Sequence, residues 1–397
     1  MRLRVGLVIL LIVVAAAAIN YVRPIPAVAA SSPVLPATEV VPGTAPALPW
    51  PSQGSGAIAV AHLGFIGTSG NEQAIPAASV TKVMTALIIL TDKPLKKGDP
   101  GPTITITDAD VQSYQADLAD KQSVVLVKAG EQLTELQALE GLLIPSANNL
   151  AETLARWDGG MSTFVAKMNT RAAKLHLAHT KFAETSGASA DSISTPSDLV
   201  TLGMEAMQDD VFVQIVAMEQ VELPEAGTVY NVNAVLGQSG ILGIKTGSGL
   251  NSGANFLFAA NVTADNKTVV VYGCVMGQPT LAIAFAAAQN LLAGVSKTLH
   301  VRRVITLNQT IATYVTPWGA QTDLVSTVDV DLAEWPGMVL RQRLDANAIV
   351  VDKPLASRTR EGTEYLVLGD YNVPVPLVTA DQLYPPGRFW RLTRISL

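Results

Sequence analysis

Residues 75–86 read Ile75-Pro-Ala-Ala-Ser-Val-Thr-Lys-Val-Met-Thr-Ala86, and inside them Ser79-Val-Thr-Lys82 sets a hydroxyl three residues before an amine. On a helix that spacing puts both side chains on one face. A hydroxyl is a poor nucleophile at neutral pH and needs a base beside it, so the pair reads as an activated serine. Pro76 can start such a helix, and Val80, Val83, Met84, Leu87 and Ile88 keep apolar side chains on a recurring face, which puts Ser79 in the first turn. The unpaired N–H groups of a first turn suit an oxyanion forming on an attacked carbonyl. A lysine acting as base must be neutral, so burial and nearby cations are expected to lower the pKa of Lys82.

Working outward, two more motifs occur in order, Ser146-Ala-Asn148 and Lys245-Thr-Gly247. A bare Ser-x-x-Lys is expected about once by chance in a chain of this size. Here it occurs once, as does Lys-Thr-Gly, and the ordered set carries the weight. A second Ser-x-Asn, Ser69-Gly-Asn71, lies ahead of Ser79 between short strand-like runs and reads as a hairpin turn. Thr134-Glu-Leu-Gln137 is a capping-box pattern opening a helix to about Leu143, and Pro145 stops it. Ser146 and Asn148 then fall in a turn before a helix from Asn149 to Trp157.

With these residues in view, the chain resembles the serine D-alanyl-D-alanine carboxypeptidases, the low-molecular-mass penicillin-binding proteins, whose motif set is the one just described. The resemblance extends through Gly141-Leu-Leu-Ile-Pro-Ser-Ala-Asn-Asn149, Asn231-Val-Asn-Ala-Val-Leu-Gly237 and Gly243-Ile-Lys-Thr-Gly247, over roughly residues 56 to 295. It implies an α+β fold, with a penicillin-binding/β-lactamase-like catalytic domain built of an antiparallel sheet with helices and a helical lobe. It also implies roles. Ser79 would form the acyl-enzyme, Lys82 would take its proton, and Ser146 would relay a proton to the leaving amine. Asn148 would bond the substrate backbone, and Lys245 and Thr246 would hold the terminal carboxylate. Gly247 would let the substrate strand lie close, and the N–H groups of Ser79 and Ser248 would form the oxyanion hole. The substrates implied are peptidoglycan stem peptides ending in D-Ala-D-Ala, with β-lactams as inhibitors and no metal or organic cofactor. Ala147 stands where the family often has glycine, and Phe182-Ala-Glu-Thr-Ser-Gly187 is a loose version of a family loop. Three other readings compete. A class A β-lactamase would need Glu-x-x-x-Asn between the second and third motifs, and none stands between Ser146 and Lys245. A DD-endopeptidase would use the same residues. A non-catalytic muropeptide-binding protein would gain nothing from a paired Ser and Lys.

Composition bounds the rest. A chain of 397 residues with 49% hydrophobic side chains can bury a large core in two or three domains, and a net charge of −6 without basic runs gives no case for nucleic acid. The one cysteine, Cys274, excludes an internal disulfide and reads as a core thiol in a buried strand. His176 and His179 have no third ligand nearby in the sequence, so a solvated helix end is their reading rather than a metal site. Gly247-Ser-Gly-Leu-Asn-Ser-Gly253 reads as a strand-to-strand turn.

The chain opens with Arg2 and Arg4, an apolar run from Val5 to Ile19, then Ala27-Val-Ala29, which directs export across the membrane. Cleavage near Ala29 is expected, with an uncleaved N-terminal anchor as the alternative. The layout is therefore a signal peptide or anchor over 1–29, a Pro-rich linker over 30–55 acting as an extended tether, a catalytic domain over 56–296 and a β-rich C-terminal domain over 297–397. The ending Arg388-Phe-Trp-Arg-Leu-Thr-Arg394 reads as a final strand. The expected place of action is extracytoplasmic, secreted or anchored to the outer face of the cytoplasmic membrane.

Overall fold

Apolar strands alternating with helices of one-sided hydrophobicity give two units. The computed structural model describes residues 2–31, 36–70 and 73–394. Residues 46–300 form one unit, and residues 1–45 together with 301–397 form the other. The helices, in chain order, are α1 (Arg2–Val22), α2 (Lys82–Asp92), α3 (Asp108–Ala119), α4 (Glu135–Leu143), α5 (Asn148–Trp157), α6 (Met161–Lys174), α7 (Pro196–Ala206), α8 (Asp210–Val216), α9 (Leu281–Thr298) and α10 (Arg388–Thr393).

The 46–300 unit is built on a five-stranded antiparallel sheet in the order Ile241–Gly249, Gly253–Ala264, Lys267–Gln278, Ser55–Val60, Gly64–Ser69. Successive side chains on a strand point to opposite faces. Ala254 to Ala260 are nevertheless all buried, because α7 and α9 both pack on this sheet. Beside it, α2, α4, α5, α6 and α8 form a helical lobe around a core that includes Val83, Leu87, Leu139, Leu154, Phe164 and Phe212. This is the expected α+β architecture. Cys274 is buried in its strand, and the glycines from 247 to 253 turn one edge strand back on its neighbour.

Local signals explain the lobe. Thr134 caps α4 by accepting from the Gln137 N–H, and the Gln137 side chain accepts from the Thr134 N–H, completing the expected capping box. Helix α5 begins at Asn148, one residue earlier than its sequence pattern indicates. Helix α3 has no counterpart in the sequence reading. Its apolar contact is small, Val111 and Tyr114 packing on the cluster around Ile106 and Leu150, and polar contacts add to it. A capping box joins Thr107 to Asp110, and Asp110 bonds Thr153 and Arg156 of α5. Burial pushes the Asp110 carboxyl up, but the Thr107, Thr153 and Arg156 bonds outweigh it and the pKa is lowered.

Ser55–Val60 and Gly64–Ser69 form a hairpin, turning between Val60 and Gly64. The structure corrects two expectations in this unit. Pro76 does not start a helix: Ile75–Pro76 is a short strand paired with Ile193–Ser194. Ser69-Gly-Asn71 therefore does not join two neighbouring strands, since Gly64–Ser69 pairs with Ser55–Val60; Asn71 itself lies outside the described residues.

In the other unit a seven-stranded sheet runs Ala30–Ser31, Thr310–Val315, Gln321–Ser326, Tyr371–Thr379, Arg360–Leu368, Val339–Ala346, Thr38–Val40. Both edges thus come from the stretch expected to be a tether. Short strands suffice there, because an edge strand needs only one partner, and Pro36 and Pro42 stand just outside Thr38–Val40, where a missing N–H costs no ladder bond. The chain's last turns are helical as α10, not a strand.

Candidate active site

A short 3-10 turn, Ala78–Thr81, leads into α2 and carries Ser79, so the serine does stand in the first helical turn. Ala78 has a left-handed φ of 50°, and Ser146 one of 69°. Non-glycine residues in that region cost of order 1–3 kcal/mol each and cluster where a side chain must be aimed. Asn255 fixes the approach to the turn by donating to the Pro76 and Ala77 carbonyls at 3.0 and 3.1 Å.

Lys82 is fully buried, and its Nζ lies 2.9 Å from Ser79 Oγ, 2.6 Å from Asn148 Oδ1 and 2.8 Å from the Ser186 carbonyl. First and second motifs thus meet at one nitrogen. Burial lowers the Lys82 pKa from 10.5 to about 7, and Glu184 and Asp117 pull weakly the other way. Burial lowers it as expected, but the charged neighbours that act on it are carboxylates and not cations. Asp117, on α3, is itself raised to about 6 by burial and by Glu152, against the pull of Lys82.

The second motif is set by its neighbours. Asn149 clamps the loop before it, accepting from Val125 N–H at 3.0 Å and donating to Val125 O at 2.9 Å. Ile106, Val127, Leu133 and Leu150 pack beneath as a small separate core. Ser146 is buried at this turn, and Asn148 donates to Gln122 at 3.3 Å.

The third motif lies on edge strand Ile241–Gly249. A methyl group on Gly247 would stand 3.1 Å from Ser79 N and 3.0 Å from the Ala77 carbonyl, so the strand runs directly alongside the nucleophile's turn. Lys245 is buried, and its Nζ donates to the Thr246 carbonyl at 3.2 Å. Burial first, and Lys82 second, hold its pKa well below the usual lysine range. Between strand and lobe opens a cavity of about 200 Å³ whose lining includes Ser79, Asn148, Gln122, Ser248 and Leu250. Lys82, Ser146, Lys245 and Thr246 are buried residues and are not part of its lining.

Sequence reasoning undervalues the loop after α6. Ser186 supplies a carbonyl to Lys82, and Gly187, at φ 85°, would put a methyl group 1.8 Å from the Ala78 carbonyl. Glu184 ties this loop together, accepting from Ser186 N–H and Oγ, Gly187 N–H and Ser192 Oγ. The spacing Glu184-x-Ser-Gly187 is the available signal: an acid followed by a hydroxyl and a glycine is turn chemistry. With four donors on its oxygens, Glu184 is a loop clamp and not a base for activating water.

The sequence model of the D-alanyl-D-alanine carboxypeptidase family matches residues 64–280. The D-alanyl-D-alanine carboxypeptidase DacB2 of Mycobacterium tuberculosis is 32% identical over 228 residues, covering 53% of this chain and 72% of its own. Among solved structures, the DD-transpeptidase of a Streptomyces strain superposes with a TM-score of 0.55 at 26% identity, over 64% of this chain and 98% of that one. Penicillin-binding protein 5 of Haemophilus influenzae gives 0.59 at 18% identity, over 84% and 99%, a likeness of fold.

Proposed function

This chain belongs to the D-alanyl-D-alanine carboxypeptidase family, and from that premise we propose that it removes the terminal D-alanine of peptidoglycan stem peptides through an acyl-enzyme on Ser79. The observation that carries this is a fully buried amine, brought down to about 7, lying 2.9 Å from a serine hydroxyl. Neutral Lys82 takes the Ser79 proton as Oγ attacks the carbonyl of the penultimate D-alanine. The N–H groups of Ser79 and Ser248 hold the oxyanion. The proton then passes through Ser146 to the amine of the last residue, the C–N bond breaks and D-alanine leaves. Water, deprotonated by Lys82, cleaves the ester and restores the serine.

Asn148 orients both the base and the substrate backbone. Lys245 and Thr246 take the terminal carboxylate, and an arriving anion favours the charged form that burial of Lys245 opposes. Gly247 keeps the substrate strand against the nucleophile. β-Lactams acylate the same serine, and the enzyme works on the outer side of the cytoplasmic membrane. Glu184 being occupied by its own loop favours peptidase over β-lactamase action.

The test is free D-alanine released from a peptide ending in D-Ala-D-Ala by the full chain and by its Ser79→Ala variant. Release by the first alone is expected. A folded, penicillin-labelled chain that releases none would overturn the carboxypeptidase reading and turn attention to cross-linked dimers as substrate.

A further inference from the structure

Helix α1 includes a 19-residue apolar stretch, Arg4–Val22, long enough to cross a membrane, and its large side chains from Val5 to Val14 are all more than half exposed. The segment after this helix is anchored in the fold. Ile25 and Val28 are buried, Val28 exchanges backbone bonds with Ile349, and Ala30 and Ser31 pair with Tyr314 and Thr313. The chain's own C-terminal end closes on the same place. The Arg394 guanidinium donates to the carbonyls of Asn20, Arg23 and Pro24 at the end of α1, and Asn20 donates to the Leu392 carbonyl. Arg391 lies over the Tyr21 ring, and Trp390 meets Trp318 edge to face at 5.2 Å. Beside these, Phe389 is 80% exposed on α10.

We propose that α1 is retained as a transmembrane anchor and that α10, with Trp318, forms a collar that sits in the headgroup layer of an anionic bilayer where α1 leaves it. Three features on one small surface point to lipid as the occupant. The collar is continuous with a bare apolar helix of spanning length. It carries aromatic rings at that helix's end, where amphipathic rings favour the membrane interface. It presents exposed Arg388, whose long side chain keeps charge in the headgroup layer and attracts anionic lipid, next to Arg391 and Arg394, whose guanidinium groups are held by Tyr21 and by the carbonyls at the end of α1. Retention replaces the expected cleavage near Ala29. Removing residues 1–29 would take Ile25 and Val28 out of the core and leave Arg394 without the carbonyls it caps.

The proposal is independent of the chemistry at Ser79, which labelled penicillin reports separately. The full chain is expressed in an exporting bacterial host, membranes are washed with carbonate, and the protein, followed by an antibody, is sized and sequenced from its N-terminus. Retention predicts a species that keeps residues before Ala30, pellets through the wash and is released by detergent. A species starting near Ala30 in the wash overturns it. For the collar, the full chain goes into nanodiscs of brominated phosphatidylglycerol or brominated phosphatidylcholine. Tryptophan emission should be quenched more in the anionic discs, and Trp390→Phe with Trp318→Phe should remove most of that quenching. Equal quenching in both lipids, or quenching untouched by the substitutions, rejects the collar.

Discussion

Lys82 gives the site its pH dependence. With its pKa at about 7, the neutral base is scarce below that value, so the acylation rate should rise through pH 7 and level off above it, as measured by stopped-flow acylation with a fluorescent penicillin. Asp117 raises that pKa, so Asp117→Asn should move the rising limb to lower pH; an unmoved limb would remove Asp117 from the field at Lys82. The same group also makes stability depend on pH. Between 7 and 10.5 the unfolded chain holds a proton that folded Lys82 has released, so this contribution grows with pH across that window. Gly187 is the backbone counterpart. Gly187→Ala puts a methyl group onto the Ala78 carbonyl and should slow acylation at least about tenfold, since small displacements of a nucleophile carry large rate penalties. The three motifs are legible in the sequence because reacting side chains must be particular residues. The Ser186 carbonyl is not, because any residue supplies one.

Helix α4 shows what single elements contribute. Thr134→Ala removes its cap and should cost about 1 kcal/mol in urea unfolding while leaving acylation unchanged. The same helix buries Glu140, whose carboxyl desolvation pushes from 4.5 up to about 7. Between those values folded Glu140 holds a proton that the unfolded chain has released, so its contribution falls as pH rises. Glu140→Gln should therefore gain stability relative to the parent between pH 5 and pH 8, by at most about 3 kcal/mol. Helices α4 and α5 can be read from caps and periodicity. Helix α3 cannot, since its apolar face is short and Asp110 finds its partner, Arg156, on a helix distant in sequence. The strands at 30–31 and 38–40 are equally hidden, because their partners lie near the other end of the chain.

For the whole molecule, the 46–300 unit is an insertion within the other unit, whose sheet takes both edges from the N-terminal side. Deleting residues 1–45 would uncover the edges at Thr310–Val315 and Val339–Ala346. Uncovered edges pair with other chains, so the shortened protein should associate on size exclusion where the detergent-solubilised full chain does not. The fold class is legible because the catalytic unit's motifs and its sheet lie in one continuous stretch; the composition of the other unit is not, because its pieces are separated by that stretch.

Interleaving of this kind also imposes an order of synthesis on folding. Val28 waits for Ile349, roughly three hundred residues later, so the sheet that takes in both segments closes a very long loop and cannot form until the ribosome has passed Ile349. The 46–300 unit needs nothing from beyond residue 300 for its own strand pairing and can fold while the rest is still being exported. A chain interrupted before Ile349 would thus carry a formed serine site together with an unfinished sheet.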